Sequence, residues 1–123
     1  MPKFSIIARL KSFGYAINGI FYCLKTQHNF WIHLVAVAVV VSLGFLFDVS
    51  KAEWLFLIFA FGMVLSLEIV NTAIEFLVDL LSPEHQKIAG LAKDLAAGAV
   101  LIGAIAAAII GLIIFVPKFL ILF

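Results

Sequence analysis

The sequence predicts an all-α integral membrane protein built from an N-terminal amphipathic surface helix and three transmembrane helices. Hydrophobic residues make up 66% of the 123 residues and charged residues only 12%, whereas soluble domains carry about 25% charged residues. Three apolar segments are each long enough to cross a bilayer, which takes roughly 20 residues of α-helix. The length favours one domain over residues 1–123, and the single cysteine, Cys23, cannot form an internal disulfide.

The first predicted helix, residues 3–25, has two distinct faces. Apolar residues recur at steps of three and four on one face, namely Ile6, Leu10, Phe13, Ile17, Ile20 and Leu24. The neighbouring face is polar and aromatic and carries Lys11, Tyr15, Asn18, Tyr22 and Lys25. Four positive charges and no negative charge are typical of a helix lying in a membrane interface. The helix is either a membrane anchor alone or an anchor whose polar face also binds an anionic ligand.

The next two predicted helices are the first and second spans. Residues 30–47 contain only two polar residues, His33 and Ser42, and we interpret His33 as an interfacial residue because it lies near the start of the span. Ser50 followed by Glu53 fits a capping box. The second span is therefore predicted over residues 52–81, which is longer than a bilayer requires.

The third span is predicted over residues 84–116. Ser82, Pro83 and Glu84 supply an N-cap, a proline at the first helical position and an acid in the first turn. From residue 95 the segment is apolar and rich in alanine and glycine, and such small residues allow helices to approach closely in lipid. Pro117 is expected to end the helix.

The distribution of lysine and arginine predicts a cytoplasmic N-terminus. Six of these residues lie before the first span or between the second span and the apolar part of the third, and two lie on the other side of the membrane. The C-terminal end of the second span and the start of the third span then lie at the cytoplasmic face. The basic surface helix lies at the same face.

The second span carries polar residues that are unusual in a membrane helix. They are Glu68, Asn71, Thr72, Glu75 and Asp79. Steps of three and four place them on one helical face. A carboxylate facing lipid at the centre of the bilayer costs about 2.5–3.5 kcal/mol on insertion scales, so this face is expected to contact protein, water or a metal. Three spans cannot enclose it on every side, and we therefore expect oligomerisation.

Residue chemistry alone leaves two function classes open. Carboxylate and amide oxygens suit Mg²⁺, and nearby basic residues suit phosphate oxygens, which favours metal-dependent phosphoryl transfer at the cytoplasmic interface. A proton or cation pathway would use the same residue types. An enzyme and an ion-conducting oligomer are equally compatible with these observations.

Several motifs resemble the prokaryotic diacylglycerol kinase family, which includes the undecaprenol kinases. The main motif is Glu68-Ile-Val-Asn71-Thr72-Ala-Ile-Glu75, followed by Asp79 and by Ala92-Lys93-Asp94. The N-terminal Arg9-Leu-Lys-Ser-Phe-Gly-Tyr-Ala-Ile-Asn-Gly19 and the later Asn29-Phe-Trp-Ile-His33 are similar to the same family. The resemblance covers about residues 5–115.

The resemblance implies a small membrane kinase that uses Mg²⁺ to transfer the γ-phosphate of ATP to a lipid hydroxyl. It implies a homotrimer with active sites shared between subunits, and no nucleic-acid partner is expected. By position, Glu68 would be the general base, and Glu75 with Gln27 would hold the metal. Asn71, Arg9 and Lys11 would support the substrates. The implied nucleotide-binding residues are Tyr15, Gln27, Glu75, Glu84, His85, Gln86, Lys93 and Asp94.

One position departs from the family pattern. Gln27 stands where the family has a glutamate that joins the metal site, and an amide oxygen coordinates Mg²⁺ without contributing charge. The alternatives to an active kinase are an inactive homologue and a non-enzymatic oligomeric channel or scaffold.

The acceptor and the location follow from the same resemblance. Undecaprenol is the hypothesised acceptor because the run Lys93-Asp-Leu-Ala-Ala-Gly-Ala-Val100 is similar to the undecaprenol kinase branch, and diacylglycerol remains open. The expected location is the inner or plasma membrane of a bacterium, with several spans and the N-terminus in the cytoplasm.

Overall fold

The computed structural model describes residues 3–123, which fold into four α-helices without a strand. Helix α1 covers Ile6–Thr26, α2 covers His28–Leu46, α3 covers Lys51–Leu81 and α4 covers Lys87–Leu122. The all-α prediction is confirmed. Met1 and Pro2 of the predicted domain lie outside the described residues.

Three of these helices are long and apolar enough to cross a membrane: α2, α3 and α4. They correspond to the three predicted spans, and most of their large apolar side chains face outward. Outward-facing apolar surface is the arrangement that a lipid environment requires. The chain is a membrane protein.

Helix α1 is attached to the rest of the chain through its C-terminal end. Ser5 caps its first turn by accepting from the Ala8 N–H. Cys23 is buried, the ring of Tyr22 meets the edge of Phe76 on α3 at 5.5 Å, and the indole N–H of Trp31 on α2 donates to a main-chain carbonyl of the last turn of α1. The first four turns of α1 are exposed.

Two adjoining caps form the tight turn between α2 and α3. Asp48 has φ 50°, and the N–H groups of Asp48 and Val49 donate to the carbonyls of Phe45 and Gly44, which is a Schellman motif. The next residue, Ser50, accepts from the Glu53 N–H at 3.1 Å, and the Glu53 carboxylate accepts from the Ser50 N–H at 2.9 Å. The predicted capping box is confirmed, and α3 begins one residue before the predicted 52–81 span.

Helices α3 and α4 form the most extensive packing interface in the chain. Glycine at position 103 brings the α4 backbone against Leu67 of α3, because a Cβ there would lie 2.8 Å from the Leu67 side chain. Lys118 donates to Glu53 at one end of the pair, at 2.8 Å, and Lys93 donates to Asp79 at the other end. The two ion pairs are separated by ~39 Å along α3, at 1.5 Å per residue.

The connection between α3 and α4 differs from the prediction. Ser82 ends α3 rather than capping α4, because its N–H donates to the Val78 carbonyl and its hydroxyl donates to the Glu84 carbonyl. These bonds place Pro83 and Glu84 in the connection. Helix α4 begins at Lys87 with Gln86 as N-cap, so the predicted start at residue 84 is wrong.

The prediction that Pro117 ends the third helix, after residue 116, is also wrong. Helix α4 continues through Pro117 to Leu122 although proline removes one main-chain donor. Side chains beyond the proline have partners on the facing helices: Lys118 pairs with Glu53, and the ring of Phe119 packs on Phe47 with centroids 4.8 Å apart. These tertiary contacts hold the last turn in helical register.

Gly44 is predicted to be the glycine least tolerant of a side chain. A Cβ at position 44 would lie 2.5 Å from the Trp54 ring, which itself packs against Phe45, whereas a Cβ at Gly62 meets nothing within 4 Å. Gly44→Ala should lower the free energy of unfolding by about 1–3 kcal/mol through overpacking. Gly62→Ala, the matched control, should be neutral or stabilising. Denaturation in mixed micelles measures both, and equal stability of the two variants would contradict the close Gly44–Trp54 packing.

Candidate functional site

The predicted polar face is an extension of the buried face of α3. Leu57, Ala60 and Val64 are buried at steps of three and four, and the next buried positions on the same face are Glu68 and the pair Asn71 and Thr72. One helical face thus changes from apolar to polar without leaving the helix interface. This part of the site therefore lies inside the helix bundle.

Glu68 is buried, with 3% of its surface exposed. Its carboxylate Oε2 lies 3.7 Å from Nε2 of His33 on α2. The Thr72 hydroxyl donates to the Glu68 main-chain carbonyl at 2.9 Å and leaves the Glu68 side chain free for other partners. A carboxylate in this setting requires a nearby polar partner because desolvation disfavours its charge.

Asn71 and Glu75 form the next part of the site, one turn further along α3. The Asn71 side-chain N–H donates to Glu75 Oε1 at 3.3 Å. The Asn71 Oδ1 atom is buried and has no hydrogen-bond partner among the described residues. Glu75 is half-buried. An unpaired amide oxygen beside a carboxylate leaves acceptor atoms available for a ligand or a metal.

Asp79 and Lys93 join α3 to α4 at the edge of a polar pocket. The pocket has a volume of about 240 Å³ and is lined by the α3–α4 connection, including Glu84, His85 and Gln86. Lys93 is half-buried, whereas Asp79 is exposed. At the end of the α3–α4 pair, the pocket brings together four of the predicted nucleotide-binding residues, namely Glu84, His85, Gln86 and Lys93, with Asp79 and Ser82 beside them. Asp94 is exposed and does not line this pocket.

The predicted site residues of α1 lie apart from this centre. Arg9, Lys11 and Tyr15 are exposed, and Arg9 stacks over the Phe4 ring of its own segment. Gln27 is half-buried at the end of α1, where its side-chain N–H donates to the Thr26 hydroxyl. The contact of Tyr22 with Phe76 places the last turns of α1 beside the segment of α3 that carries Glu75.

The donor atoms fit magnesium better than a transition metal. Within residues 3–123 there is no group of three or more His, Cys, Asp and Glu side chains arranged to hold a metal ion. Mg²⁺ commonly takes only one or two protein carboxylates and completes its shell with water and substrate phosphates. The Glu75 carboxylate and the unpaired Asn71 Oδ1 are hard oxygen donors of that kind.

An apolar cavity of about 280 Å³ lies between α2, α3 and α4. Its walls are alanine, valine and other apolar side chains, including Val37, Leu57 and Ala107, and its polar lining residue is His33. The cavity therefore reaches the histidine that contacts Glu68.

His33 is the site residue that sequence reasoning missed. We interpreted it as an interfacial residue, but its imidazole is turned towards Glu68 and only 21% of its side chain is exposed. The run Asn29-Phe-Trp-Ile-His33, which carries part of the family resemblance, is the sequence signal that could have revealed this role. The structure buries Phe30 and places His33 one turn later on the same inward face of α2.

The fold and the site define a multi-span helical membrane protein with carboxylate and amide groups buried within the bundle. Comparison with known proteins specifies the class further. The family model described as prokaryotic diacylglycerol kinase matches residues 14–115. The chain is 45% identical over 108 residues to the undecaprenol kinase of Bacillus subtilis (strain 168), with 88% of each chain covered.

Two diacylglycerol kinases are also similar. The relative from Synechocystis sp. is 40% identical over 112 residues, which cover 90% of this chain and 64% of the relative. The relative from Escherichia coli (strain K12) is 34% identical over 100 residues, covering 81% and 82% of the two chains. The chain belongs to the prokaryotic diacylglycerol kinase family and is a lipid kinase, and a kinase of this family implies ATP as co-substrate.

The exposed Asp79–Lys93 pair is predicted to contribute little to folding. The side chains are 64% and 39% exposed, and such pairs contribute about 0–1 kcal/mol because water screens them. Lys93→Met should therefore leave the denaturation midpoint close to that of the native chain. Lys87→Met, which removes an exposed lysine from the same helix, is the control. Denaturation in micelles without nucleotide measures both, and a much larger loss for Lys93→Met would show that the pair is structural.

Proposed function

We propose that the protein is a Mg²⁺-dependent undecaprenol kinase that uses ATP at the cytoplasmic face of a bacterial inner or plasma membrane. The observation that carries the proposal is the buried carboxylate of Glu68 on the same helical face as the Asn71–Glu75 hydrogen-bonded pair. The Glu68 carboxylate is buried away from water and is suited to accepting a proton. The Glu75 carboxylate is half-buried and is suited to binding a metal–phosphate complex.

Glu68 acts as the general base in this proposal. Its carboxylate accepts the proton of the lipid hydroxyl while the lipid oxygen forms a bond to the γ-phosphorus of ATP. The bond from that phosphorus to the bridging oxygen breaks, and ADP leaves with the electron pair. Glu68 then returns the proton to solvent or product. Phosphoryl transfer depends mainly on such positioning and on charge neutralisation.

Glu75 would hold the Mg²⁺ ion together with Gln27, and Asn71 supports the substrates from the same face. The ion, when bound, neutralises charge on the phosphate oxygens. Gln27 lies at the end of α1, close in the chain to Tyr22, which contacts Phe76 beside Glu75. This proximity supports the assignment of Gln27 to the metal site.

The nucleotide occupies the polar pocket at the α3–α4 connection in this proposal. Lys93 exchanges its Asp79 partner for a phosphate oxygen, and Glu84, His85 and Gln86 lie along the same wall. Asp94, the next residue of α4, lies outside the pocket lining and approaches the nucleotide from the exposed side of the helix in this proposal. A lysine at the pocket edge offers the point charge that phosphate recognition commonly uses.

A homotrimer with shared active sites accounts for the position of the α1 residues. Arg9, Lys11 and Tyr15 are exposed and far along α1 from the Tyr22–Phe76 contact. In an oligomer these residues can approach the nucleotide and lipid at a neighbouring subunit's site. The alanine-rich and glycine-rich face of α4 supports close packing between helices.

Two observations support undecaprenol as the acceptor. The Bacillus subtilis undecaprenol kinase is 45% identical over 88% of this chain. The cavity beside His33 is otherwise lined by apolar residues, which is compatible with a hydrocarbon acceptor. The excess of basic residues before α2 and around the α3–α4 connection supports the cytoplasmic placement of the site and of the N-terminus.

The first test is phosphoryl transfer from ATP in detergent–lipid micelles with Mg²⁺, with undecaprenol and diacylglycerol offered in parallel. The native chain should phosphorylate undecaprenol with the higher kcat/KM. Glu68→Gln should lower kcat by about 10²–10⁴-fold, the usual contribution of a general base. Glu75→Gln should remain folded and lose most Mg²⁺-dependent activity.

The matched control for these two glutamates is Glu53→Gln, at the opposite end of α3. Its ion pair with Lys118 lies far from the site, so kcat should stay near the native value. Transfer to neither lipid by a folded native chain would contradict the kinase proposal. Ion flux through vesicles without nucleotide would then favour a channel.

Gln27→Glu is predicted to strengthen the metal site. It adds a negative charge to the proposed ligand set, and ligand charge is one determinant of divalent-cation affinity. The Mg²⁺ concentration for half-maximal activity should fall roughly tenfold, which corresponds to about 1.4 kcal/mol. A Mg²⁺ titration of initial rates at saturating ATP measures the change. An unchanged Mg²⁺ requirement would place Gln27 outside the metal site.

A further inference from the structure

His33 lies between the Glu68 carboxylate and the apolar cavity, two features that the lipid-kinase proposal does not connect. Its imidazole Nε2 is 3.7 Å from Glu68 Oε2, within ion-pair range and slightly beyond a direct hydrogen bond. The same side chain lines the apolar cavity between α2, α3 and α4. The imidazole therefore lies both beside the buried carboxylate and at the cavity wall.

The contact takes place where water has little access. The Glu68 side chain is 4% exposed and the His33 side chain 21% exposed. Among residues 3–123, His33 provides the close side-chain partner of the Glu68 carboxylate. An electrostatic contact in such a setting is stronger than the same contact in water.

The fold fixes His33 in this place. Phe30, one turn earlier on α2, is buried, and Gly44 near the other end of α2 packs under the Trp54 ring. The inward face of α2 is thus held at both ends, and His33 lies on that face. Its position does not depend on a flexible loop.

We infer that His33 is a positioning residue that orients the carboxylate of Glu68 towards the lipid hydroxyl. Contact with Oε2 engages one carboxylate oxygen and limits rotation of the carboxylate group. The other oxygen, Oε1, is left to accept the proton of the acceptor. A base fixed by a neighbouring group in this way reacts from a narrower range of geometries. The inference rests on the proposed role of Glu68 as general base.

A structural role would leave a different kinetic signature. If His33 only satisfied a buried charge, its loss would lower stability and the amount of folded protein, but the folded molecules would turn over normally. A positioning role lowers kcat of the folded enzyme while KM for ATP stays unchanged, because the nucleotide pocket lies on the α3–α4 connection.

The experiment compares His33→Leu and His33→Gln in the full-length chain in micelles, with ATP and undecaprenol. His33→Leu should lower kcat about 10- to 100-fold with KM for ATP within about twofold of the native value. His33→Gln keeps a side-chain N–H near the position of Nε2 and should recover most of kcat. Ser42→Ala, which removes an exposed polar group from the same helix, should leave kcat unchanged.

A double variant tests whether His33 acts through Glu68. In the Glu68→Gln background, His33→Leu should cause little further loss of kcat, because residues that act as a unit are not additive. Independent, multiplicative losses would overturn the inference. Native kcat in His33→Leu, with the native chain active, would also overturn it and leave the kinase proposal intact.

A spectroscopic measurement tests the contact without activity. The imidazole ¹⁵N resonances of His33, assigned from their disappearance in His33→Gln, should move in Glu68→Gln and stay in place in Ser42→Ala. Unmoved resonances in Glu68→Gln would overturn the inference even if His33→Leu fails to fold. Absence of kinase activity in the native chain, together with moved resonances, would reject the kinase proposal and the catalytic role of His33 while retaining the contact.

Discussion

The burial of carboxylates inside a membrane helix is the constraint on which the rest of this structure depends. Glu68 is almost fully enclosed within an otherwise apolar helix, and a charged group in such a place is unfavourable unless other groups compensate it. Each carboxylate of α3 has a polar partner: an imidazole for the buried Glu68, an amide for the half-buried Glu75 and an ammonium for Asp79, which lies exposed at the end of the helix. Each compensating group also has chemistry that a kinase can use.

The compensating groups come from different places in the chain, which makes the fold a condition of the site. His33 requires α2 to run beside α3, Asn71 belongs to α3 itself, and Lys93 requires the close approach of α4 that Gly103 permits. The apolar interface of α3 therefore does more than stabilise the bundle. It determines which polar groups meet at the level of Glu68 and which meet at the level of Asp79.

Features governed by local chemistry could be predicted from the sequence, whereas those governed by contacts between helices could not. The capping box at Ser50 and the polar face of α3 require only residues a few positions apart. Ser82 is a local exception: it carried an equally good signal for a helix start, but its N–H donates to the Val78 carbonyl at the end of α3 and its hydroxyl donates to the Glu84 carbonyl in the connection. The tendency of Pro117 to end a helix was outweighed by the contact of Lys118 with α3 and the contact of Phe119 with the end of α2. His33 was missed because its partner is 35 positions away in the chain.

The two ion pairs at the ends of the α3–α4 pair have a consequence for the membrane in which the protein works. Glu53–Lys118 and Asp79–Lys93 lie at the two ends of the α3–α4 pair and are separated by ~39 Å, whereas the hydrocarbon core of a bilayer is ~30 Å thick. Both ion pairs remain in the headgroup regions when the two helices stand nearly perpendicular to the membrane. In a thinner bilayer the helix pair tilts to avoid hydrophobic mismatch, and tilting changes the depth of Glu68 below the lipid surface. In the proposed kinase, lipid chain length would thereby act on the position of the Glu68 carboxylate relative to the lipid hydroxyl, without any contact to the site.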